Sequence, residues 1–200
     1  KAEEIEKRME TLNADIVIGM KYLYSNMPYS DVGNYTFDTY LDYVQQGIWL
    51  WENSPYVKKY PELYFLNYVL FHRTNDEEIK PCRTYFWEKI KDRIQGMSMM
   101  EAVLEINHWC AGEVMYQGTD MRTGSALEIY RSGVGRCGEE AVFVVNVLRS
   151  AGIPARPVYV PRWSHCDDNH AWVEVWCDGD WHYLGACEPE AVLDKGWFTN

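Results

Sequence analysis

The chain has 200 residues, of which 47% are hydrophobic, enough to build one large domain or a core with an attached subdomain. Nineteen basic residues against thirty acidic residues give a net charge of -11, which opposes binding to nucleic acid or to an anionic membrane surface. No apolar run in the sequence approaches the length of a membrane span. We therefore expect a globular protein whose partner is basic or neutral, such as a peptide or a glycan.

Six cysteines are scattered along the chain without a CxxC pair or a regular spacing. They stand at positions 82, 110, 137, 166, 177 and 187. This pattern indicates no disulfide framework, and a chain of this length does not need one for stability. The redox compartment therefore stays undecided, with a secreted or periplasmic location slightly favoured over a cytoplasmic one.

Residues 1–96 have helical patterns through most of their length. The segment 2–10 is highly charged, and the predicted helices that follow it include 36–53, 63–72 and 76–95. Burial at amphipathic positions is the simplest explanation of the many Tyr and Trp side chains here, although such side chains are also able to line a groove. We predict an all-helical N-terminal portion that packs on a core formed by residues 97–200.

The helical period continues over 98–116, and a second, shorter helix is predicted over 125–131. A longer apolar run follows a glycine-flanked turn and extends from Cys137 to Gly152, so that Cys137 lies at a helix N-terminus. The unpaired amides and the dipole at that end favour a thiolate, which is the nucleophilic form of the side chain. Taken alone, a cysteine at a helix start is more often a small buried apolar residue.

An aromatic and β-branched run over 169–176 is typical of a strand, and His170 opens it. Glu174 shares the face of His170 because side chains alternate along a strand, so it is predicted to border the cleft. A cysteine at a helix start with a histidine on a later strand is the arrangement of papain-type enzymes, in which the imidazole accepts and returns the proton. The pattern thus predicts Cys137 as nucleophile and His170 as its base.

Four motifs in the second half of the chain follow one another in order. They are Arg-Cys-Gly-Glu at 136–139, Leu-Arg-Ser-Ala-Gly-Ile-Pro-Ala-Arg at 148–156, His-Ala-Trp-Val-Glu-Val-Trp at 170–176 and Trp-His-Tyr-Leu-Gly-Ala-Cys-Glu-Pro at 181–189. Together they resemble the transglutaminase-like superfamily. Within it they are most similar to the peptide N-glycanase-like branch, in its bacterial type.

This resemblance implies an α+β fold of papain-like, transglutaminase-like type, in which the helix that carries the nucleophile packs on an antiparallel sheet. It also implies thiol-dependent hydrolysis or acyl transfer, through a thioester, at an amide bond of a protein, peptide, isopeptide or glycopeptide. Cys137 and His170 match the catalytic positions of the family. No acidic calcium loop is evident, so we expect no cofactor.

The third catalytic position of the family is an aspartate, and this chain has Gly185 there. The Asp-Gly pair at 178–179 predicts a two-residue hairpin loop in which Cys177 pairs with Asp180. That register places residue 185 on the same face as His170, so the position that should orient the imidazole has no side chain.

The missing carboxylate has candidate replacements. Glu188 is the nearest carboxylate along the chain, and Asp167 and Asp168 precede the histidine in a loop that is poorly placed to reach the far ring nitrogen. We expect the triad to be weakened by the glycine and activity to be lowered rather than abolished.

The oxyanion site is also incompletely specified. Arg122-Thr123 stands where true transglutaminases have a tryptophan before Gly-Ser, whose indole N–H helps to hold the oxyanion. The backbone amide of Cys137 would be one donor. Trp109, Gln117 and Arg122 are the candidates for a second donor, and the sequence does not rank them.

Two competing functions start from the same residues. A metal site is conceivable because side chains that bind metals crowd together just before the predicted strand, but their spacing matches no zinc pattern, and we expect no metal. These side chains are His165, Cys166, Asp167, Asp168 and His170. A non-catalytic module that binds peptide or carbohydrate is the alternative to an enzyme. The oligomeric state is not indicated.

The two ends of the sequence carry a last expectation. The chain starts at Lys1 without a methionine and ends near Trp197 and Phe198, which are large apolar residues seldom left in solvent at a natural terminus. We therefore expect a further C-terminal domain after residue 200.

Overall fold

A computed structural model describes residues 1–163 and 168–199. The α-helices are α1 Ala2–Met9, α2 Ala14–Asn26, α3 Tyr29–Asn34, α4 Phe37–Asn53, α5 Glu62–Phe65, α6 Arg83–Ile90, α7 Met99–Glu113, α8 Ala126–Ser132 and α9 Cys137–Ser150. Short 3-10 turns occur at Val57–Lys59 and Trp197–Thr199, and a π-turn extends α5 over Leu66–Leu70. The strands are β1 Met115–Tyr116, β2 Val134–Gly135, β3 Ala155–Val160, β4 His170–Cys177 and β5 Asp180–Leu184.

Side-chain caps decide where several helices begin. Asn13 and Thr36 accept hydrogen bonds from backbone amides in the first turns of α2 and α4. Ser98 and Ser125 form capping boxes at the starts of α7 and α8, in which the cap side chain and a glutamate three residues later satisfy each other's backbone amides. The predicted helices 36–53 and 125–131 therefore agree with α4 and α8 to within one residue at each end.

The helix predicted over 76–95 was wrong at both ends, since only Arg83–Ile90 is helical. Before it, the buried carboxylate of Glu77 accepts hydrogen bonds from the backbone amides of Thr74 and Asn75, both at 2.7 Å, and so closes a turn. Pro81 then lacks the N–H that a helix interior would need. The charged residues before Arg83 are at helical spacing, but they form a turn closed by a side chain instead of a helix.

The helix predicted over 98–116 ends instead at Glu113, and the next residues form β1. β1 pairs in parallel with β2, with Met115 opposite Val134. The amide of Met115 donates to the carbonyl of Gly133 at 2.9 Å, and that of Gln117 to the carbonyl of Gly135 at 2.9 Å. This short ladder fixes the turn that leads into α9.

The sheet has the order β3-β4-β5 and is antiparallel throughout. The predicted hairpin is confirmed, because Cys177 pairs with Asp180 across the loop 178–179. Both loop residues have positive φ, 52° at Asp178 and 94° at Gly179, as a type I′ turn requires. Val173 and Val175 point into the core from β4 and are fully buried.

α9 lies at the centre of the molecule and packs on α6, α7, α8 and the sheet strands β3 and β4. Its apolar residues Ala141–Val145 are fully buried, and the apolar residues of the N-terminal helices belong to the same hydrophobic cluster. The predicted α+β fold, with the helix that carries Cys137 packed on an antiparallel sheet and helices before it, is therefore confirmed. No helix in the described ranges is long and apolar enough to cross a membrane.

Candidate active site

The start of α9 is held by Arg136, which precedes the helix. Its guanidinium donates to the carbonyl oxygen of Arg122 at 2.9 Å and to Oγ1 of Thr123 at 2.8 Å. It also pairs with Oε1 of Glu139 at 2.8 Å, and Thr119 donates its hydroxyl to the same carboxylate. The loop over 119–123 is thereby fastened against the first turn of α9, beside Cys137.

Cys137 is partly buried and lines a cavity of about 580 Å³. The walls come from the loop 74–76, the loop 119–121, the first turn of α9, strand β3, and residues Asn169 and Ala171. A second, polar cavity of about 940 Å³ shares residues 75, 76 and 119–121 with the first. The nucleophile candidate therefore lies in a hollow that continues along the surface, as an extended substrate requires.

Two opposing effects act on the thiol of Cys137. Burial is the larger and raises its pKa, and the nearby Glu140 carboxyl raises it further. The backbone amides of Ala171 and Gly138 donate toward the sulfur and lower the pKa, but less than burial raises it. The preference for a thiolate expected at a helix N-terminus is therefore reversed: the resting side chain is a thiol at neutral pH.

His170 lies at the first residue of β4 and is 7% exposed. Its ring lies in an aromatic cluster, with ring centres 5.0 Å from Trp197, 5.1 Å from Phe198 and 5.8 Å from Trp172. Its Nε2 is buried and has no hydrogen-bond partner in the described part of the chain. Burial lowers the pKa of the imidazole, so the ring is neutral at rest.

The backbone on either side of His170 lies at the cavity of Cys137, but the imidazole ring does not line it. Ala171, the next residue, lines the cavity and donates its amide toward the sulfur. Because side chains alternate along β4, the imidazole lies on the face opposite Ala171, and it is not among the described residues that line the cavity. Within 1–163 and 168–199, no hydrogen bond joins Cys137 to His170.

The other predicted site residues lie away from this cavity. Trp109 packs in the core against Tyr130 and Phe143, with ring centres 5.9 and 6.0 Å away. Gln117 is exposed, and Arg122 pairs at the surface with Asp120 at 2.5 Å and borders only the polar cavity. Glu174 forms an ion pair with Arg156 at 2.7 Å, outside the described cavity wall. None of these four side chains is among the described residues that line the cavity of Cys137.

The sequence pattern of the transglutaminase-like superfamily matches residues 88–186, which include Cys137, His170 and Gly185. This segment of the chain belongs to the transglutaminase-like superfamily. The match begins within α6, so the family segment takes in α6 through β5 and the α9–sheet core. A search of the curated proteins gives no significant match.

Two solved structures are similar to this transglutaminase-like chain. A candidate cysteine protease from Cytophaga hutchinsonii is 22% identical, with a TM-score of 0.45 over 52% of this chain and 36% of its own. A candidate protease from Parabacteroides distasonis is 15% identical, with a TM-score of 0.44 over 74% of this chain and 26% of its own. The chain thus spans about a third and about a quarter of the two proteins.

Gly185 stands where the resemblance to transglutaminase-like enzymes predicts the third catalytic residue. It opens a tight turn in which the amide of Glu188 donates to the carbonyl of Gly185 at 3.1 Å. Asn107 of α7 holds this turn: its Nδ2 donates to Gly185 O at 2.9 Å, and its Oδ1 accepts from the amide of Cys187 at 3.0 Å. Glu188, the predicted substitute, is linked to Trp197 rather than to His170.

Glu140 is a feature of the site that the sequence did not reveal. It follows Cys137 by three residues on α9 and is 4% exposed. Burial, together with the charge of Glu188, raises the pKa of its carboxyl to about 8. A glutamate in the first turn of a helix is ordinarily a charged partner of the helix dipole, but the raised pKa of Glu140 favours its neutral form at neutral pH.

Only some of the residues considered for a metal site belong to the part of the chain that the structure describes. His165, Cys166 and Asp167 lie outside the described residues. Within the described ranges, no group of three or more His, Cys, Asp and Glu side chains is arranged to hold a metal ion. Asp168 accepts a hydrogen bond from the amide of Asn169 at 2.7 Å, at the mouth of the cavity.

Proposed function

We propose that this chain hydrolyses an amide bond, or transfers its acyl group, through a thioester on Cys137. The observation that carries the proposal is the position of Cys137: it begins a buried helix of a transglutaminase-like segment, inside a cavity, with two backbone amides directed at its sulfur. A family match alone would be compatible with many ligands, so the proposal depends on the site rather than on the fold.

The chemistry follows from groups around the sulfur. The sulfur attacks the carbonyl carbon, the C–S bond forms, and the negative charge moves to the carbonyl oxygen. The amide of Cys137 belongs to the first turn of α9, whose N–H groups lack intrahelical acceptors, so it is available to that oxygen. The C–N bond then breaks, the amine leaves with a proton, and water or a second amine releases the thioester.

His170 is the proposed carrier of that proton. The raised pKa of the thiol and the lowered pKa of the imidazole favour a neutral pair at rest, so proton transfer accompanies attack instead of preceding it. The position of Ala171 supports the role, since its amide is directed at the sulfur and the backbone next to His170 therefore already lies at the cavity.

The walls of the two cavities favour a neutral or cationic acyl donor. More acidic than basic side chains line them, and Asp76 borders both cavities. The lining arginines Arg73, Arg122 and Arg136 are each paired with a carboxylate at 2.5 to 2.8 Å. A peptide, an isopeptide or a glycosylated asparagine, the substrate of the peptide N-glycanase-like branch, fits this charge better than an anionic substrate.

The test is a screen of labelled peptide, isopeptide and glycopeptide amides, with and without an added primary amine. We expect turnover of at least one class, which is lost in Cys137→Ser and kept in the matched control Cys187→Ser. Cys187 is the control because it is also partly exposed, and its strained φ of 58° affects serine and cysteine alike. Equal turnover in Cys137→Ser and the parent would reject the proposal.

A binding module without turnover is the second candidate. It is favoured by the glycine at position 185 and by the absence of a Cys137–His170 hydrogen bond in the described structure. Binding of a peptide or glycan that is unaffected by Cys137→Ser, with no turnover of any amide in the screen, would support this candidate.

A further inference from the structure

We infer that the peptide carrying the scissile amide binds in extended form, as an added strand, along the outer edge of β3 inside the cavity of Cys137. The inference rests on the proposed function, and it selects an extended peptide from the substrates named there. It assigns recognition of the peptide to backbone groups of Pro157 and Tyr159.

β3 is an edge strand, because β4 pairs with one side of it and no strand of the described ranges pairs with the other. The register shows which backbone groups face outward. The amide of Trp176 donates to the carbonyl of Pro154 at 2.9 Å, so these two residues form a hydrogen-bonded pair of the antiparallel ladder. Such pairs recur at every second residue. The even-numbered residues of β3 therefore direct their backbone groups toward β4, and the odd-numbered residues direct theirs outward.

The groups on the outer edge agree with this assignment. Pro157 has no N–H to give to a ladder, and it is an outward residue. The carbonyl of Ala155, also outward, accepts from Nε of Arg149 at 3.0 Å. The carbonyl of Pro157 and both backbone groups of Tyr159 have no hydrogen-bond partner among the described residues. The outer edge of β3 thus offers a peptide one free donor and two free acceptors in a row.

These free groups lie at the cavity of the candidate nucleophile. Residues 157–159 line it together with Cys137, and the loop 74–76 lines it as well. Arg149 holds the segment before this loop close to the start of β3, because it donates to the carbonyl of Arg73 at 3.2 Å as well as to β3. A strand added to the outer edge of β3 would therefore lie within this cavity.

The side chains around the edge favour a peptide over a glycan. Met121 and Tyr159 line the cavity with side chains that are 93% and 61% exposed, which offers apolar surface to the side chains of an added strand. Asp76 lines it as an exposed carboxylate, and no ion pair within the described ranges involves it. A glycan has no row of backbone amides to match the edge. We therefore expect an extended peptide with neutral or basic side chains.

Hydrogen exchange at the Tyr159 amide is the direct test, measured by NMR in the Cys137→Ser chain. The probes are short peptides of neutral, lysine-rich and glutamate-rich composition. This amide should exchange rapidly in the chain alone, and exchange should slow by about tenfold or more when a neutral or lysine-rich peptide is added. Glutamate-rich peptides should bind more weakly. Failure of every peptide to protect the Tyr159 amide would overturn the inference.

Tyr159→Pro tests the hydrogen bond itself. Proline at this position removes the outward N–H without breaking the ladder to β4, as Pro157 does two residues earlier on the same edge. We expect the Kd for a lysine-rich peptide to be about tenfold higher than in the matched control Tyr159→Ala, which loses the same side chain but keeps the N–H. Equal Kd values in the two variants, at similar Tm, would contradict the inference.

A scan of N-methylated peptides on the Cys137→Ser chain does not depend on the folding of any variant at 159. Methylation should weaken binding at every second amide of the bound stretch, because alternate amides of a strand face the same neighbour. A loss of affinity without this alternation would overturn the inference.

The inference and the proposed function fail separately. Protection of the Tyr159 amide with the alternating methylation pattern, but without Cys137-dependent turnover of any amide, would reject the proposed function and leave the peptide-binding edge. Cys137-dependent turnover of a peptide that leaves the Tyr159 amide unprotected would support the proposed function and overturn the inference.

Discussion

Two opposing effects act on the pKa of the Cys137 thiol, and the sequence alone does not show which of them is larger. Backbone amides directed at the sulfur from a helix start favour the thiolate, and the glycine-flanked turn before Cys137 predicted that helix start. The degree of burial and the approach of the Glu140 carboxyl depend on residues that fold around the helix. They decide the direction of the pKa shift, which favours a thiol at Cys137 over a preformed thiolate–imidazolium pair.

Alkylation of Cys137 tests this balance. Because its pKa is raised, the rate with iodoacetamide should be lower at pH 6 to 7 than that of an ordinary free thiol, and should still be rising above pH 9. Peptide mapping by mass spectrometry separates Cys137 from the other cysteines. A rate at pH 6 that exceeds that of a small-molecule thiol would contradict the prediction and indicate an ion pair with His170.

Glu140 gives a pH dependence of stability with a definite sign. Its pKa is about 8 in the folded chain and near 4.3 in the unfolded chain, so between these values the folded state binds more protons. Stability should therefore fall as pH rises from about 4.5 to 8, by up to ~1.4 kcal/mol per pH unit, or about 3–6 °C in Tm. In Glu140→Gln this slope should flatten and Tm at pH 8 should rise. An unchanged slope in the variant would show that Glu140 is charged in the folded protein.

At the scale of elements, the site depends on how the loop over 119–123 meets the start of α9. Arg136 is the connection, because its guanidinium reaches two carbonyl oxygens and two threonine hydroxyls of that loop as well as Glu139. Residues 119–121 form a wall shared by both cavities. Arg136 thus makes most of the side-chain hydrogen bonds that hold this loop, and the loop in turn shapes the walls of both cavities.

Arg136→Ala should loosen this wall. We expect KM to rise about tenfold, amide hydrogen exchange to accelerate over 118–124, and Tm to fall by a few degrees, since the loop carbonyls return to water. Arg122→Ala is the control: it removes an arginine from the same loop whose side chain is 89% exposed and pairs with the neighbouring Asp120. Equal effects of the two variants would show that Arg136 does not organise the loop.

The elements differ in how far the sequence determines them. Caps and turn residues act locally. The starts of α4 and α8 at Thr36 and Ser125, and the register of the hairpin at the Asp-Gly loop, were therefore predicted correctly from the sequence. The turn closed by Glu77 is also local, but it was not predicted, because charged residues at helical spacing indicate an exposed helix as readily as a turn closed by a side chain. The surroundings of His170 were not predictable from the sequence. Alternation along a strand predicts which face of the sheet a side chain lies on, but not that Trp197 and Phe198, from a later segment of the chain, cover that face.

At the scale of the whole molecule, two buried arginines join the N-terminal helices to the family segment. Arg83 of α6 donates to the carbonyl of Phe71 at 2.9 Å and to Oδ1 of Asn146 on α9 at 3.0 Å. Arg149 of α9 donates to the same carbonyl at 2.9 Å and to that of Ala155 at 3.0 Å. The two halves therefore share polar contacts as well as one apolar cluster, which supports our proposal that residues 1–96 pack on the core as one cooperative unit.

Arg83→Met tests that cooperativity. It leaves buried acceptors unsatisfied, so we expect a loss on the order of 3 kcal/mol, or about 6–12 °C in Tm, with a single calorimetric transition in both proteins. The matched control is Arg93→Met, an arginine 49% exposed and paired with Glu105, for which the change should stay within about 0.5 kcal/mol. Two separate transitions in the parent chain would contradict a single cooperative unit.

Intact-protein mass spectrometry after acid quenching tests our proposal that Cys137 forms a thioester with an amide substrate. With an amide that is turned over in the screen, we expect a mass increase equal to the acyl group, located at Cys137 by peptide mapping and discharged by hydroxylamine. The adduct should be present in Cys187→Ser and absent in Cys137→Ser. Turnover without any such adduct, or an adduct that persists in Cys137→Ser, would show that no thioester forms at Cys137.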